Sequence, residues 1–572
     1  MLVTERNFDR TLDYFSEFPR LIADTETTGL HPWLGDRVCG VSLTSPNLHL
    51  ARYFPFRHAP GGNLSWARLQ QLIRFLSRRH LILTGWNIKF DFEMLLMDGL
   101  RLPDHAEDVM LACHHMNEND KPFELKRWAA KYINPNAAEA EQRLLKLLKS
   151  RKLKKGDIAK LRPEEAEEYA CDDVRYTERL RQLVYPELKA WKTLKLWRES
   201  NQYMLELARM EIHGMKLDIP LLQKYSRQAT KKAKVAYDKI TNLAGYEINL
   251  RSPKQLHNFL RVSSATKEIL AQMDTPEAHA ILKFRAWDKV NHTYYKVWLS
   301  RVDSKQILHP NLNLHRVVTG RQSASDPNMH AVPRYRSEYK VKDVVIARPG
   351  YRIISADYNQ AELRMGVSVA QEENMAKLFL SADRVDIHQL VADQLNIGRD
   401  SAKTINFMIL YGGGVEKLAW MLKIPIRKAA QYLERYHKEY WHFRYASNWW
   451  ARRARHQEYI RLWTGRVRHF NHPLANPKDA FNSLVQGGVA EMLRIAILRL
   501  GRILWEYDTH MLLQIHDQIL FEAPIGQITN VAPLIREEME RFDQFLIPPK
   551  VDIKVGVRWG QLEDYDEWRK AA

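Results

Sequence analysis

The sequence predicts a multidomain chain of mixed α/β and α+β class, and three stretches carry that expectation. Residues 352–364 read as a strand that ends in Asp357 and runs into a helix. Ile353 and Ile354 suit a buried strand, and Asn359 followed three residues later by Glu362 is a helix-start signal of the capping-box kind. Residues 512–522 read as two apolar runs around His516-Asp517, the pattern of a hairpin with a two-residue turn. Residues 20–30 read as a strand on which Asp24 and Glu26, two apart, project to one face. Further strands are expected at 38–43, 48–54 and 81–84, a helix at 65–78, and an apolar helical run from Asn87 to Leu100.

The later elements follow the same logic. Pro186 interrupts a long helical pattern and is the candidate domain boundary. The next helix should stop at Gly214, a C-cap residue. Residues 221–243 are helical and carry Lys231, Lys232 and Lys234, which suit either phosphate contacts or a solvated face. The charge-dense segment 139–168, with Arg151, Lys152, Lys154 and Lys155, reads as a solvated helical excursion or as a DNA-contacting patch.

Composition narrows the classes. A length of 572 residues leaves room for two to four domains, and 45% hydrophobic residues with 16 tryptophans indicate a packed globular chain. The excess of 87 basic over 68 acidic residues, a net charge of +19, points to a polyanionic partner. That charge would also suit a membrane surface, but no basic amphipathic anchor or long apolar run accompanies it, so no membrane partner is expected. Residues 1–10 lack the apolar core of a signal peptide, and the three scattered cysteines, Cys39, Cys113 and Cys171, form no metal-ligand spacing. A reduced, cytoplasmic setting is the expectation.

The acids suggest the chemistry. Asp357 and Asp517, at neighbouring strand tips, can hold a pair of Mg²⁺ ions, the device for phosphoryl transfer with a hydroxyl attacker and a pyrophosphate leaving group. His516-Asp517 alone is equally plain turn chemistry. Arg399, Lys403, Phe407 and Tyr411 recur every fourth residue, so on a helix they line one face within about 120°. Two cations suit a triphosphate and two rings suit a base or sugar; an amphipathic helix with packed rings and solvated cations has the same pattern. Asp24, Glu26, Asp91 and Asp173, with Tyr169 one turn before Asp173, can converge on two metals that activate a water against a phosphodiester. Singly, Asp91 could cap a helix and Asp173 could be surface charge.

Taken in order, Asp357-Tyr358-Asn359-Gln360-Ala361-Glu362-Leu363-Arg364, Arg399-x3-Lys403-x3-Phe407-x3-Tyr411-Gly412 and Gln514-Ile515-His516-Asp517 resemble motifs A, B and C of family A DNA polymerases, the DNA polymerase I (Klenow) type. Asp24-x-Glu26, Asn87-x3-Asp91 and Tyr169-x3-Asp173 resemble the three motifs of DnaQ-like 3′→5′ exonucleases. The resemblance runs from Asp24 to about Trp559. It implies a DnaQ/RNase H-like exonuclease domain over 1–185, then a right-hand polymerase domain over 186–572, with thumb about 215–300, fingers about 366–480 and palm the remainder.

The resemblance also implies roles. Asp357, Asp517 and the Tyr358 carbonyl would hold metal in the palm, and Glu362 would exclude a ribose 2′-hydroxyl. Tyr358, Gln360, His388, Arg399, Lys403, Phe407 and Tyr411 are the implied nucleotide contacts, with Lys403 protonating the leaving pyrophosphate and Phe407 discriminating against dideoxynucleotides. Arg321, in the signature Thr319-Gly320-Arg321, is an implied DNA contact, as are Asn482, Gln486, Lys478 and His516. Asp24, Glu26, Asp91 and Asp173 would bind metal for proofreading while Tyr169 orients water. The implied cofactor is Mg²⁺, two per site, with Mn²⁺ as substitute. Implied partners are primer–template DNA, dNTPs, and a replisome helicase, primase or single-strand binding protein, engaged by a monomer in a bacterial or phage-infected cytoplasm.

Three positions depart from the pattern. His516-Asp517 is followed by Gln518 where the family has glutamate, so a third acid near the metals is expected to be missing. Lys478 stands for an arginine and Met408 for a glycine. No 5′ nuclease segment precedes the exonuclease motifs, which suggests a phage-type enzyme. Two rivals remain: an exonuclease whose polymerase half only binds primer–template, favoured by Gln518, and a non-catalytic DNA-binding protein, favoured by the charge.

Overall fold

The computed structural model describes residues 2–333, 338–381 and 386–571. The N-terminal unit is built on a five-stranded sheet in the order Ala51–Pro55, Val38–Thr44, Arg20–Thr27, Ile82–Gly85, Ala106–Asp108. The first three strands are antiparallel neighbours, and the last two run parallel to Arg20–Thr27. Period-two alternation divides the central strand between two cores. Leu21 and Ala23 enter the cluster with Val41, Leu43 and Leu83, whereas Ile22 packs with Tyr53, Leu144, Leu148 and Val174 on the other face. Asp24 and Glu26 share the parity of Ile22, so they face the helix Pro163–Ala190. The third strand starts at Ala51 and not at 48, because Leu48 turns in a left-handed conformation (φ 59°). The three-residue strand Ala106–Asp108 was not expected; it is too short to show alternation.

Pro186 does not break its helix, contrary to the sequence expectation. The helix continues to Ala190, and the chain turns at Lys192 (φ 57°) before Leu194–His213 begins. Tyr176, Leu180, Val184 and Leu188 recur every fourth residue on the buried face and extend past the proline. Their burial, about 1.5–3 kcal/mol for each large apolar side chain, outweighs one lost helical hydrogen bond. Gly214 closes the next helix as expected. The 139–168 segment is the helical excursion: Arg151 pairs with Glu165, Arg143 with Glu168 and Lys155 with Glu141, and Leu144 and Leu148 anchor it to the core.

The C-terminal unit is built on an eight-stranded sheet. Its centre is Tyr351–Tyr358, flanked by the hairpin strand Gln518–Pro524 on one side and Val551–Arg558 on the other, both antiparallel. One face is covered by the helix Ile528–Glu540, on which Ala480–Ile503 packs in turn. The Tyr358 hydroxyl donates to the Met539 carbonyl at 2.6 Å on that face, so Ser355 and Asp357, of opposite parity, look the other way. Ile219–Ala244 packs along Pro276–Val290, and Ile240, Ile248, Leu256 and Ile281 form a small core of their own. Five helices from Ile387–Leu395 to Trp441–Gln457 form the remaining lobe. Buried ion pairs join the two units: Glu118 with Arg468 (2.6 Å) and His469 (2.9 Å), and Lys89 with Glu211. Among the described residues no helix is long and apolar enough to cross a membrane.

Candidate active sites

In the N-terminal unit Asp24, Glu26 and Asp173 each bring a carboxylate oxygen within 4.8 Å of the others. Asp91 joins them from the helix Ile88–Leu96. It does not cap that helix; its Oδ1 accepts from the Thr25 N–H (2.9 Å) and the Thr25 hydroxyl (2.6 Å), on the residue between Asp24 and Glu26. Tyr169 lies one turn before Asp173, half-buried beside the cluster, and hydrogen-bonds its carboxylate. All five residues read from the sequence therefore meet at one place.

A sixth group was missed. Lys126, buried on the helix Leu125–Tyr132, pairs with Asp173, and its ammonium lies 5.2 Å from both the Tyr169 and Tyr176 rings. Its signal was a cation on the same face as Ala129 in a short amphipathic helix, a pattern too common to single out. Burial, then repulsion from Asp91, Asp173 and Glu26, holds the Asp24 carboxyl well above its ordinary range. Burial and Asp173 push Glu26 up to about 8, against the pull of Lys126. Burial pushes Asp91 up to about 7, although both Thr25 bonds oppose it. Four crowded carboxylates face the Lys126 ammonium and the more distant Lys155, so the site is short of positive charge and fits divalent cations.

In the C-terminal unit the expected two-residue turn is present: Ile515 pairs with Gln518, leaving His516 (φ 54°) and Asp517 at the tip. The Tyr358 N–H donates to the Asp517 carbonyl at 3.1 Å, which ties the tip to the end of the central strand. Asp357 pairs in register with Gln518 on one side and with Asp552 on the other. Directly opposed side chains share a face, so Gln518, Asp357 and Asp552 form one row. The row lines a cavity of about 260 Å³ with Lys342, Ser355 and Trp559. Burial, then the charges of Asp517 and Asp552, push the Asp357 carboxyl up to about 7. Asp517 is raised as well, by burial first, while His516 and Arg321 pull it down. The Asp357 Oδ1 is buried with no hydrogen-bond partner among the described residues, which fits a metal ligand.

This corrects two expectations. A third acid is not missing: Gln518 donates to the Ser355 hydroxyl, and Asp552 supplies a carboxylate from the opposite flank of Asp357. Only strand register reveals this, since Asp552 and Gln518 lie far apart from Asp357 in sequence. The capping box is not formed. The helix Ala361–Ala370 starts after Gln360, which is left-handed (φ 51°). Asn359 donates to Asp552 at 3.2 Å, and Glu362 pairs with Arg321 and with the Tyr411 hydroxyl.

The helix Arg399–Leu410 presents its expected face outward. Ala402, Ile405, Ile409 and Leu410 are buried, whereas Arg399, Lys403 and Tyr411 are exposed and Phe407 is half-buried. The rings are therefore not core packing. Arg399 pairs with Asp386 at 2.7 Å. His388 is buried, bonds the Asn406 amide at 3.0 Å and lies 5.8 Å from Phe407. Met408 is buried beneath the glycine turn; a Cβ on Gly413 would come within 2.3 Å of it. The Tyr358 side chain points away from the carboxylates, which leaves only its backbone near them. Gln486 hydrogen-bonds Tyr411. The Oδ1 of half-buried Asn482 and the Oε1 of Gln360 have no partner among the described residues. His516 and Lys478 are exposed, and His516 sits 5.8 Å from the His330 ring.

A carboxylate row on an antiparallel sheet, tied through Glu362 and Tyr411 to the end of a helix bearing cations and rings, and preceded by a second carboxylate cluster, is the arrangement of a protein with two metal-binding sites facing polyanions. The comparisons agree. Residues 219–561 match the family model of DNA polymerase family A, and residues 3–189 match that of a 3′-5′ exonuclease. The chain belongs to DNA polymerase family A. It is 28% identical to DNA polymerase I of Synechocystis sp. over 95% of this chain and 60% of that one. It is 30% identical to the thermostable DNA polymerase I of Thermus thermophilus over 67% of this chain and 50% of that one. The chain thus spans between half and two-thirds of these relatives. Its fold is similar to the POL domain of Pol1 from M. smegmatis, solved with DNA primer-template and dNTP (TM-score 0.82, 19% identity, 98% and 99% of the two chains).

Proposed function

We propose that this chain is a template-directed DNA polymerase that adds dNTPs to a primer 3′ end and removes mismatched ends with a 3′→5′ exonuclease. The observation that carries the reading is the row Asp357–Asp552 with Asp517 near it, linked through Glu362 to Tyr411 at the end of the exposed cation-and-ring face of Arg399–Leu410. The exonuclease domain is assigned to 1–185 and the polymerase domain to 186–572, with thumb about 215–300 and fingers about 366–480. The turn between Ala190 and Leu194 supports a junction a few residues later than 185.

Asp357, Asp517 and the Tyr358 carbonyl hold Mg²⁺, or Mn²⁺ in its place, and Asp552 completes the charge. Bound there, the ions make the primer 3′-hydroxyl a better nucleophile and offset charge on the leaving pyrophosphate. Arg399, released from Asp386, and Lys403 bind the triphosphate, and Lys403 gives its proton to pyrophosphate. His388, 5.8 Å from Phe407, and Gln360, whose Oε1 has no partner among the described residues, add further nucleotide contacts. Phe407 stacks near the sugar. Glu362 blocks a 2′-hydroxyl, and Tyr411 must part from it to reach the template base. Arg321, Asn482, Gln486, Lys478 and His516 follow the primer–template backbone and minor groove, which suits an enzyme that accepts every sequence. In the other site Asp24, Glu26, Asp91 and Asp173 bind metal, Tyr169 orients the water, and Lys126 holds Asp173.

The deciding experiment is primer extension on a recessed template with Mg²⁺, with and without dNTPs. Extension with dNTPs and shortening without them supports both sites. Shortening in both tubes overturns the polymerase assignment and favours the nuclease reading.

A further inference from the structure

The helix Trp441–Gln457 carries four arginines, two histidines and no acid. Its inner face is ordinary: Phe443, Ala446 and Ala454 are buried, and the helix packs on Ala361–Ala370, on Ala480–Ile503 and on the short turn bearing Lys478. Its outer face is not. Trp441, Tyr445 and Trp449 are 51%, 60% and 40% exposed and stand four residues apart. At 100° per residue they fall, with Arg452, His456 and Arg453, inside one arc of about 120°. The arc therefore interleaves three rings with three basic groups along roughly 22 Å of helix. Trp441 and Tyr445 lie edge-to-face at 6.0 Å, and the Arg453 guanidinium sits 5.1 Å from the Trp449 ring.

Exposed rings of this size have few occupants that also want cations. A protein partner can also use Trp, Tyr and Arg, but it would have to bring acids of its own to meet a helix that carries none. A duplex hides its base faces in the stack. An unpaired strand offers both faces and phosphates, and rings among arginines on a helix without acids are what it needs. Trp441 and Tyr445 lie 6.0 Å apart and each step of four residues rises about 6 Å, which suits bases of an extended strand. The geometry points to this stripe as a platform for single-stranded DNA, the unpaired template ahead of the polymerase site. The identity of that strand rests on the proposed function; the binding chemistry does not.

The test uses the full chain in EDTA, so neither site turns over. Fluorescence anisotropy compares a primer–template with an unpaired template overhang of about 15 nucleotides with one of about two, and also oligo(dT). The wild type should bind the long overhang more tightly. Trp441→Ala/Tyr445→Ala/Trp449→Ala should erase that preference and lower affinity for oligo(dT) at least tenfold, given what stacking contributes per base. Arg452→Glu/Arg453→Glu, which leaves the rings, should do the same and flatten the salt dependence. Bromodeoxyuridine in the overhang should photo-crosslink to the 441–449 peptide. Equal affinity for both overhangs in the wild type, or folded variants that keep the preference, would overturn the proposal and leave the face to a protein partner. A wild type that binds oligo(dT) through the stripe yet fails to extend primers would sink the proposed function and not the stripe.

Discussion

Replacing Asp552 by asparagine should push the metal-free fold and metal binding in opposite directions. Asparagine keeps the shape and can still accept from Asn359, so the perturbation is one charge. Directly opposed residues on antiparallel strands hold their Cβ atoms about 5 Å apart, and two charges at that distance repel by about 3 kcal/mol at an effective dielectric of 20. Asp357 accepts a proton to relieve part of this. Its rise from 3.8 to about 7 has burial as its first cause and Asp517 as its second. At about 1.4 kcal/mol per unit, the share of Asp552 is on the order of 1 kcal/mol. The metal-free variant should therefore be more stable than wild type by that amount at pH 8, and no more stable at pH 5, where Asp357 is already protonated. Metal binding should weaken by about 10–100-fold, as when a supporting carboxylate is removed from a metal site. The assay is Mn²⁺ titration followed by electron paramagnetic resonance in an Asp24→Ala background, so that only the C-terminal site reports. Primer extension should fall at limiting Mg²⁺ and recover at high Mg²⁺. An unchanged Mn²⁺ affinity in a folded variant refutes the reasoning and returns Asp552 to the role of a strand residue.

Three further outcomes follow from the two sites. Lys126→Met removes the cation paired with Asp173 among the four acids, so the metal-free protein should lose about 3 kcal/mol or more, and Mg²⁺ should restore most of its melting temperature; a melt insensitive to both would show the ion pair with Asp173 to be idle. Stability should also depend on pH. Glu26 (about 8) and Asp91 (about 7) keep protons in the fold that the unfolded chain has released above about 4.5. Metal-free stability therefore falls as pH rises from about 4.5 to 8, while stabilisation by Mg²⁺ grows, because metal displaces those protons. Thermal melts with EDTA and with Mg²⁺ at three pH values check this, and a constant gap between the curves contradicts it. Finally, Phe407→Tyr should raise dideoxynucleotide incorporation; an unaltered ratio of dideoxy to deoxy product would remove the proposed sugar contact.

The sequence was most legible where chemistry and local geometry coincide. Asp24 and Glu26 are two apart on a strand, and Tyr169 and Asp173 are one turn apart on a helix, so each pair declares its common face without tertiary information. The hairpin around His516-Asp517 and the outward face of Arg399–Leu410 were readable for the same reason. What failed were judgements in which packing overrides a local signal. Pro186 is a helix breaker in isolation, yet Val184 and Leu188 continue the buried face across it. Asn359 and Glu362 form a capping box on paper, but Asp552 and Arg321 are better partners for them, and both come from other parts of the chain.

Asp552 shows why such positions stay hidden. Its local pattern, Val551-Asp552-Ile553-Lys554-Val555, is that of any half-buried strand, and nothing in it marks the acid. Its meaning comes from pairing opposite Asp357, which depends on the register of two strands that lie nearly 200 residues apart. The same register sets Gln518 on the other side, where its amide ties down Ser355 and leaves no charge. A carboxylate at both positions would put two like charges against an Asp357 already raised by burial and Asp517. One acid and one amide hold the row to a single supporting charge. In this chain the amide at Gln518 and the acid at Asp552 therefore set the charge around Asp357 from both flanks of the central strand.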